Sequence, residues 1–242
     1  TVPSTWYQSF NPGMIFIFAP VLNMFWSWRA RRGNPSGSVS KMAFGNYLLA
    51  YFESCGEGLG SDLRPCGLMV YDRNLAAGRG LLRAIGHSDL ALDAQGREVL
   101  VFQHVDEDTV SMLDLASGAV TPLFSIDFSA AAHGFHFSGQ AFDRRGWAVV
   151  STYSGGRPEP VTWLDDQVFL VELKQGGTVF RLAHTRSLVD SEQEHNYWAE
   201  PQATANRDLT RILFTSNWGR SGSDQVETYL ITLPPDWPSL AR

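Results

Sequence analysis

Acidic residues are missing from one end of this sequence, and cysteine is scarce throughout. No Asp or Glu precedes Glu53, although Arg29, Arg31, Arg32 and Lys41 are already present. All 25 acids therefore fall in residues 53–242, against 15 of the 19 bases, so the two parts were shaped by different surroundings. Two cysteines, Cys55 and Cys66, are too few for a zinc cage and enough for one disulfide in an oxidising compartment. No basic stretch is long enough to follow a phosphate backbone and the formal net charge is −6, which argues against nucleic acid as a partner. A phosphate loop and a dinucleotide fingerprint are also lacking, because Gly56-Glu57-Gly58-Leu59-Gly60 follows no expected strand and opens no helix. Ser138-Gly139 and Ser154-Gly155-Gly156 lack the strand-to-helix elbow of a hydrolase, so no serine nucleophile is expected. What remains, 44% hydrophobic and 12% aromatic residues over 242 positions, is enough to bury a sizeable core and excludes a disordered chain.

Residues 10–28 are the one long apolar run, nineteen positions without a charge. At 1.5 Å per residue such a helix nearly spans a bilayer core of about 30 Å. Trp6, Tyr7, Trp26 and Trp28 flank it, and Arg29, Arg31 and Arg32 follow at once, the pattern of a membrane helix with a cytoplasmic carboxyl end. A buried core helix is the alternative. A signal peptide would carry its positive charges before the run instead.

Trp6-Tyr7-Gln8-Ser9-Phe10-Asn11-Pro12, Ala19-Pro20, Trp26, Asn34-Pro35-Ser36 and Lys41-Met42-Ala43-Phe44-Gly45 resemble the eighth and ninth membrane helices of proton-dependent oligopeptide transporters. The resemblance covers residues 1–50 and implies that Gln8, Ser9 and Asn11 face a peptide cavity. The apolar pattern stops at Glu53, however, and a transporter needs a bundle of helices around its site. The expected division is a hydrophobic helical segment over 1–52, a linker over 53–67, and a β domain over 68–242.

In that last part the periodicity is two. Val99–Phe102, Ala148–Thr152 and Ile212–Thr215 read as strands, and Ala94-Gln95-Gly96, Ala116-Ser117-Gly118 and Arg144-Arg145-Gly146 as turns. Ser88–Val101 aligns without a gap on Ser138–Ser151, and Ala203–Thr215 is a third copy with a small insertion. A matching triplet follows each copy: Asp108-Thr109-Val110, Asp166-Gln167-Val168 and Asp224-Gln225-Val226, spaced 58 residues apart both times. Constant spacing of matching hairpins marks a repeat architecture. The fold class expected is mainly β, a partial β-propeller of about three four-stranded blades behind an N-terminal hydrophobic helix.

With His136-Phe137-Ser138-Gly139, Gly146-Trp147 and Thr215-Ser216-Asn217-Trp218-Gly219, these repeats resemble bacterial TolB-like and tryptophan-aspartate-repeat-like propellers, and more distantly those of oligogalacturonate lyases. A closed propeller has about four to eight blades. Three blades therefore imply that further blades, or another chain, complete the ring, or that the chain is a truncated or fused reading frame.

His87, His136 and His195 share one place in the repeat, just before the first strand of each copy, where a propeller would bring them to the channel mouth. Two readings stay open. Each imidazole donates to a neighbouring blade's backbone, or His136 and His195 join Gln202 around a divalent metal, with Gln140 or Glu200 as other oxygen donors. Resemblance to the lyases implies manganese for the second. Trp198, like Trp147, Trp163 and Trp218, either stacks on a sugar ring or fills space between blades. The expected ligand-binding set is thus His87, His136, His195, Gln140, Trp198, Glu200 and Gln202. The expected function is a binding module for a small molecule, glycan or protein, membrane-associated through residues 10–28 or extracytoplasmic. Metal-dependent elimination on an acidic oligosaccharide and peptide transport are the alternatives.

Overall fold

The computed structural model describes residues 47–52, 55, 66–72, 78–127, 133–154, 162–189, 196–220 and 225–240. The chain divides into two compact units, one of residues 1–48 with 71–78 and the other of 49–70 with 79–242, and nearly all described elements belong to the second. About half of the described residues lie in strands, and the strands build four successive antiparallel sheets. The first holds β1 (Tyr47–Tyr51), β2 (Leu68–Asp72) and β3 (Arg79–Leu82). In the second are β4 (Ser88–Leu92), β5 (Glu98–His104), β6 (Thr109–Asp114) and β7 (Val120–Ser125). The third comprises β8 (His133–Ser138), β9 (Trp147–Ser154), β10 (Gln167–Glu172) and β11 (Val179–His184), and the fourth β12 (Thr204–Ala205), β13 (Arg211–Ser216) and β14 (Glu227–Thr232). Each sheet runs in chain order from one edge to the other, and the first strands of neighbouring sheets, β4 with β8 and β8 with β12, lie in contact. That is a propeller-like arrangement of meanders.

Local chemistry explains the hairpins. Asp93 Oδ1 accepts from the N–H groups of Gln95 and Arg97, at 2.9 and 2.8 Å, and Gly96 closes the turn at φ +78°. Asp114 treats Ala116 and Ser117 likewise, with Gly118 at φ +78°. Only a residue without Cβ takes that backbone freely. The triplet aspartates share a conformation too: Asp108 and Asp166 both sit in the left-handed region, at φ +47° and +52°, a place Asp tolerates better than most residues. Asp224 lies outside the described residues.

Packing is layered. Val99, Val101, Val110 and Met112 of the second sheet meet Phe135, Ala148, Val150, Phe169 and Val171 of the third in one buried cluster. On the other face of the third sheet, Val149, Val168 and Leu170 meet Ile212, Phe214 and the fully buried Trp237. Each buried Val, Leu, Ile, Met or Phe among them contributes about 1.5–3 kcal/mol of transfer free energy. Polar clips join the layers: the N–H groups of Ala203 and Ala205 donate to the hydroxyls of Ser151 (3.1 Å) and Ser138 (3.2 Å), and Gly139 N–H donates to Asp89 Oδ2 (2.9 Å). Burial raises the Asp89 pKa above its ordinary value, and its bonds to the Gly139 and Leu90 amides oppose that rise.

Several expectations change. There are four sheets rather than three blades, because the first sheet lacks the Asp/Asn-led tight hairpin (Asp93–Gly96, Asp143–Gly146, Asn206–Leu209) that reveals the others in the sequence. Tyr47–Tyr51, expected at the end of a helical segment, is a strand paired with β2; the aromatic residues at both of its ends suit a sheet. Residues 1–46, which carry the hydrophobic run at 10–28 and Gln8, Ser9 and Asn11, lie outside the described residues. Among the described residues no helix is long and apolar enough to cross a membrane. Cys55 and Cys66 form a disulfide across the connection between β1 and β2.

Candidate functional site

The adjacency of β4 and β8 brings two of the expected histidines together. His136 lies within β8 rather than before it, since that strand already starts at His133. His87, immediately before β4, places its ring 4.7 Å from that of His136, tilted by 31°. On the far side the 3₁₀ turn Tyr197–Ala199 leads into Glu200, whose Oε2 accepts from His136 Nε2 at 2.8 Å across 64 positions of sequence. Glu200 is held in turn, because Thr215 on β13 donates its hydroxyl to the Glu200 carbonyl at 2.7 Å. Tyr153 lies 5.8 Å from the His136 ring; its own ring lies over Gly134, its partner across the strand pair, where any Cβ would collide with it.

These contacts set the protonation pattern. His87 Nδ1 faces the Phe135 carbonyl oxygen, which can only accept, so Nδ1 carries a proton. His136 donates from Nε2, leaving its lone pair on Nδ1. Burial pulls the His136 pKa below its ordinary value, and His87 acts in the same direction; the hydrogen bond and the charge of Glu200 oppose them. A neutral imidazole backed by a carboxylate can accept a proton or a hydrogen bond from a ligand.

To a metal the two rings would offer one nitrogen each, Nε2 of His87 and Nδ1 of His136, the other nitrogen of each donating to a protein oxygen. Among the described residues no three His, Cys, Asp or Glu groups are placed to hold a metal ion. Gln140 and Gln202 are exposed, and His195, named with His136 and Gln202 as a metal ligand, lies outside the described residues. Trp198 is 67% exposed and meets Tyr197, itself 52% exposed, edge to face at 5.5 Å. Trp147 packs against Trp237, and Trp163, itself partly exposed, meets Phe124 and Phe169. Sequence reasoning missed Tyr153, because no spacing ties β9 to His136 without knowing the strand pairing.

No protein-family model matches the chain, and no curated protein does. Solved structures do. An oligogalacturonate lyase in complex with manganese is similar at 16% identity and a TM-score of 0.47, over 78% of this chain and 46% of its own. An oligogalacturonate lyase from Vibrio parahaemolyticus gives 14% and 0.47, over 74% and 45%, and TolB from Acinetobacter baumannii gives 14% and 0.42, over 68% and 34%. The chain thus spans less than half the length of the lyases it resembles. At these scores the likenesses carry no conclusion about this chain, and nothing in the comparisons supports the transporter resemblance of residues 1–50.

Proposed function

We propose that this chain is a ligand-binding module on propeller-like sheets, which recognises a glycan or similar polar small molecule beside Trp198, Glu200 and His136. One observation carries the reading. A single 3₁₀ turn displays two exposed aromatic rings, Tyr197 and Trp198, and ends on the carboxylate that orients a half-buried histidine. Aromatic faces bind the C–H faces of sugars, and a His–Glu pair supplies directed acceptors and donors for hydroxyls. The disulfide supports an extracytoplasmic location. Two sheets have three strands among the described residues, so further strands from a longer or second chain are proposed to complete the array.

The test is a calorimetric titration of the full chain with an acidic oligosaccharide (oligogalacturonate) and a neutral one (cello-oligosaccharide). Saturable binding of either, weakened about tenfold or more by Trp198→Ala at unchanged melting temperature, is expected. Failure of both to bind, or a variant that binds as well as the parent, overturns the proposal.

The neutral His136 favours a second reading, proton abstraction next to a uronate carboxylate, as an elimination requires. Ultraviolet absorbance of an unsaturated uronate product, followed with and without added Mn²⁺, tests it; no product under either condition removes it.

A further inference from the structure

A cleft that shares no lining residue with the His136 site, and is independent of that reading, opens between the loop after β11 and the loop after β13. It encloses about 390 Å³ and is lined by His184, Arg186, Trp218 and Gly219. Both of its larger walls are in backbone conformations that ordinary side chains avoid. Arg186 has φ +55° and Trp218 has φ +54°. Left-handed backbone at two non-glycine residues facing one cleft is strain that the surroundings must impose.

Buried polar contacts impose it. Asn217, wholly buried, accepts from Leu188 N–H at 2.9 Å and donates to the Leu188 carbonyl at 2.8 Å. Ser216, also wholly buried, donates its hydroxyl to the Thr185 carbonyl at 2.7 Å and accepts from Trp218 N–H at 2.9 Å. Residues 185–189 and 216–218 are thus bonded to one another, and the Arg186 and Trp218 side chains stand exposed beside them.

What they display is a guanidinium on an aromatic column. Phe214 stacks on Tyr229 at 5.5 Å, Tyr229 on Trp218 at 5.0 Å, and the Arg186 Cζ lies 5.5 Å from the centre of the Trp218 ring. The indole holds the guanidinium by a cation–π contact and leaves its in-plane N–H groups unused: among the described residues Arg186 has no side-chain acceptor. An immobilised, unspent fork of this kind matches a planar carboxylate. His184 adds to it. Its Nδ1 accepts from Arg186 N–H at 3.0 Å, so the neutral ring carries its proton on Nε2, a donor and not an acceptor. Gly219, at φ +77°, has nothing but the Arg186 carbonyl within 4 Å of where a Cβ would stand, so the cleft floor stays open.

From this geometry we infer that the cleft is a binding site for a small carboxylate, held by the Arg186 fork on its Trp218 support with His184 beside it. A free organic acid and the carboxylate of an acidic sugar share that chemistry, and the titration separates them.

The experiment is nuclear magnetic resonance of the full chain labelled with ¹⁵N, titrated in turn with succinate, glucuronate and glucose. Saturable shifts of the Arg186 Nε–H and Trp218 indole N–H signals are expected with succinate or glucuronate and not with glucose. A stronger response to glucuronate assigns the sugar acid, and equal responses assign the carboxylate alone. Arg186→Gln is expected to weaken binding about tenfold or more, and Arg186→Lys, which keeps the charge and loses the fork, to weaken it clearly. Both substitutions are at an exposed side chain, and unchanged shifts in the β8–β10 amides confirm the fold. No saturable shift with either acid, equal shifts with glucose, or undiminished binding by Arg186→Lys overturns the inference.

Discussion

Reduction of the Cys55–Cys66 disulfide offers a direct measure of how the first sheet is tied into the array. The bond joins residues 11 apart, closing a loop of about a dozen residues between β1 and β2. In the chain-entropy description, opening a loop of that size returns about 9–10 cal/mol/K to the unfolded ensemble, or about 3 kcal/mol at room temperature. Native contacts lose little, because the loop ends are held by other bonds: Phe52 N–H donates to the Gly67 carbonyl at 2.9 Å and Cys55 N–H to that of Arg83 at 3.1 Å. For a chain of this length each kcal/mol moves the melting midpoint by about 2–4 °C, so reduction is expected to lower it by roughly 6–12 °C. Circular dichroism melts with and without a phosphine reductant, repeated on the Cys55→Ser/Cys66→Ser double variant, provide the assay. Melting midpoints that agree within a degree would refute the argument, because the crosslink would then not be restraining the unfolded chain.

Two further outcomes follow from the site and the sheet contacts. Glu200 raises the His136 pKa through its hydrogen bond and its charge, so Glu200→Gln, which keeps an acceptor and removes the charge, is expected to move the His136 titration midpoint down. With a folded pKa below the unfolded one, the unfolded chain binds more protons between the two values, and stability falls as pH drops through the ordinary histidine range. The variant should lose more stability on that acid side, and a midpoint that stays or rises, read from the His136 ring proton, sinks the assignment. Gly139→Ala places a Cβ 2.0 Å from the Leu90 carbonyl oxygen and forces β4 from β8. A cost of about 1–3 kcal/mol in urea unfolding is expected, and a change under about 0.5 kcal/mol would show that the sheets do not meet there.

Much of the fold was legible in the sequence because short-range chemistry wrote it. The turns at Gly96, Gly118 and Gly146 need glycine backbone and carry it, and the spacing of Asp108 and Asp166 marks the same strand start in two sheets with the same left-handed φ. The first sheet escaped notice for the opposite reason. Its strands β1 and β2 are joined by a disulfide-bridged connection and not by an Asp-x-x-Gly hairpin. Of the candidate site, His87, His136, Trp198 and Glu200 could be singled out by residue type and repeat position, but not the bond between His136 and Glu200. That bond spans 64 positions and depends on how one sheet lies against the next. The Arg186–Trp218 cleft was harder still, since neither a charge nor an aromatic at those positions announces a left-handed backbone.

The doubly covered third sheet has one more consequence. Sliding β9 or β10 by one residue would exchange Val149, Val168 and Leu170 for Val150, Phe169 and Val171, apolar for apolar, so oil-and-water patterning is nearly blind to such a slip. Correct alignment must then be dictated by the few hydroxyls threaded through those strands. Ser138 and Ser151 grip the backbone of the next sheet, and the Thr152 hydroxyl takes the Gln167 amide at 3.0 Å while donating to the Leu164 carbonyl. In the middle of the array, small polar atoms act as the alignment pegs, and the bulk around them supplies cohesion without direction.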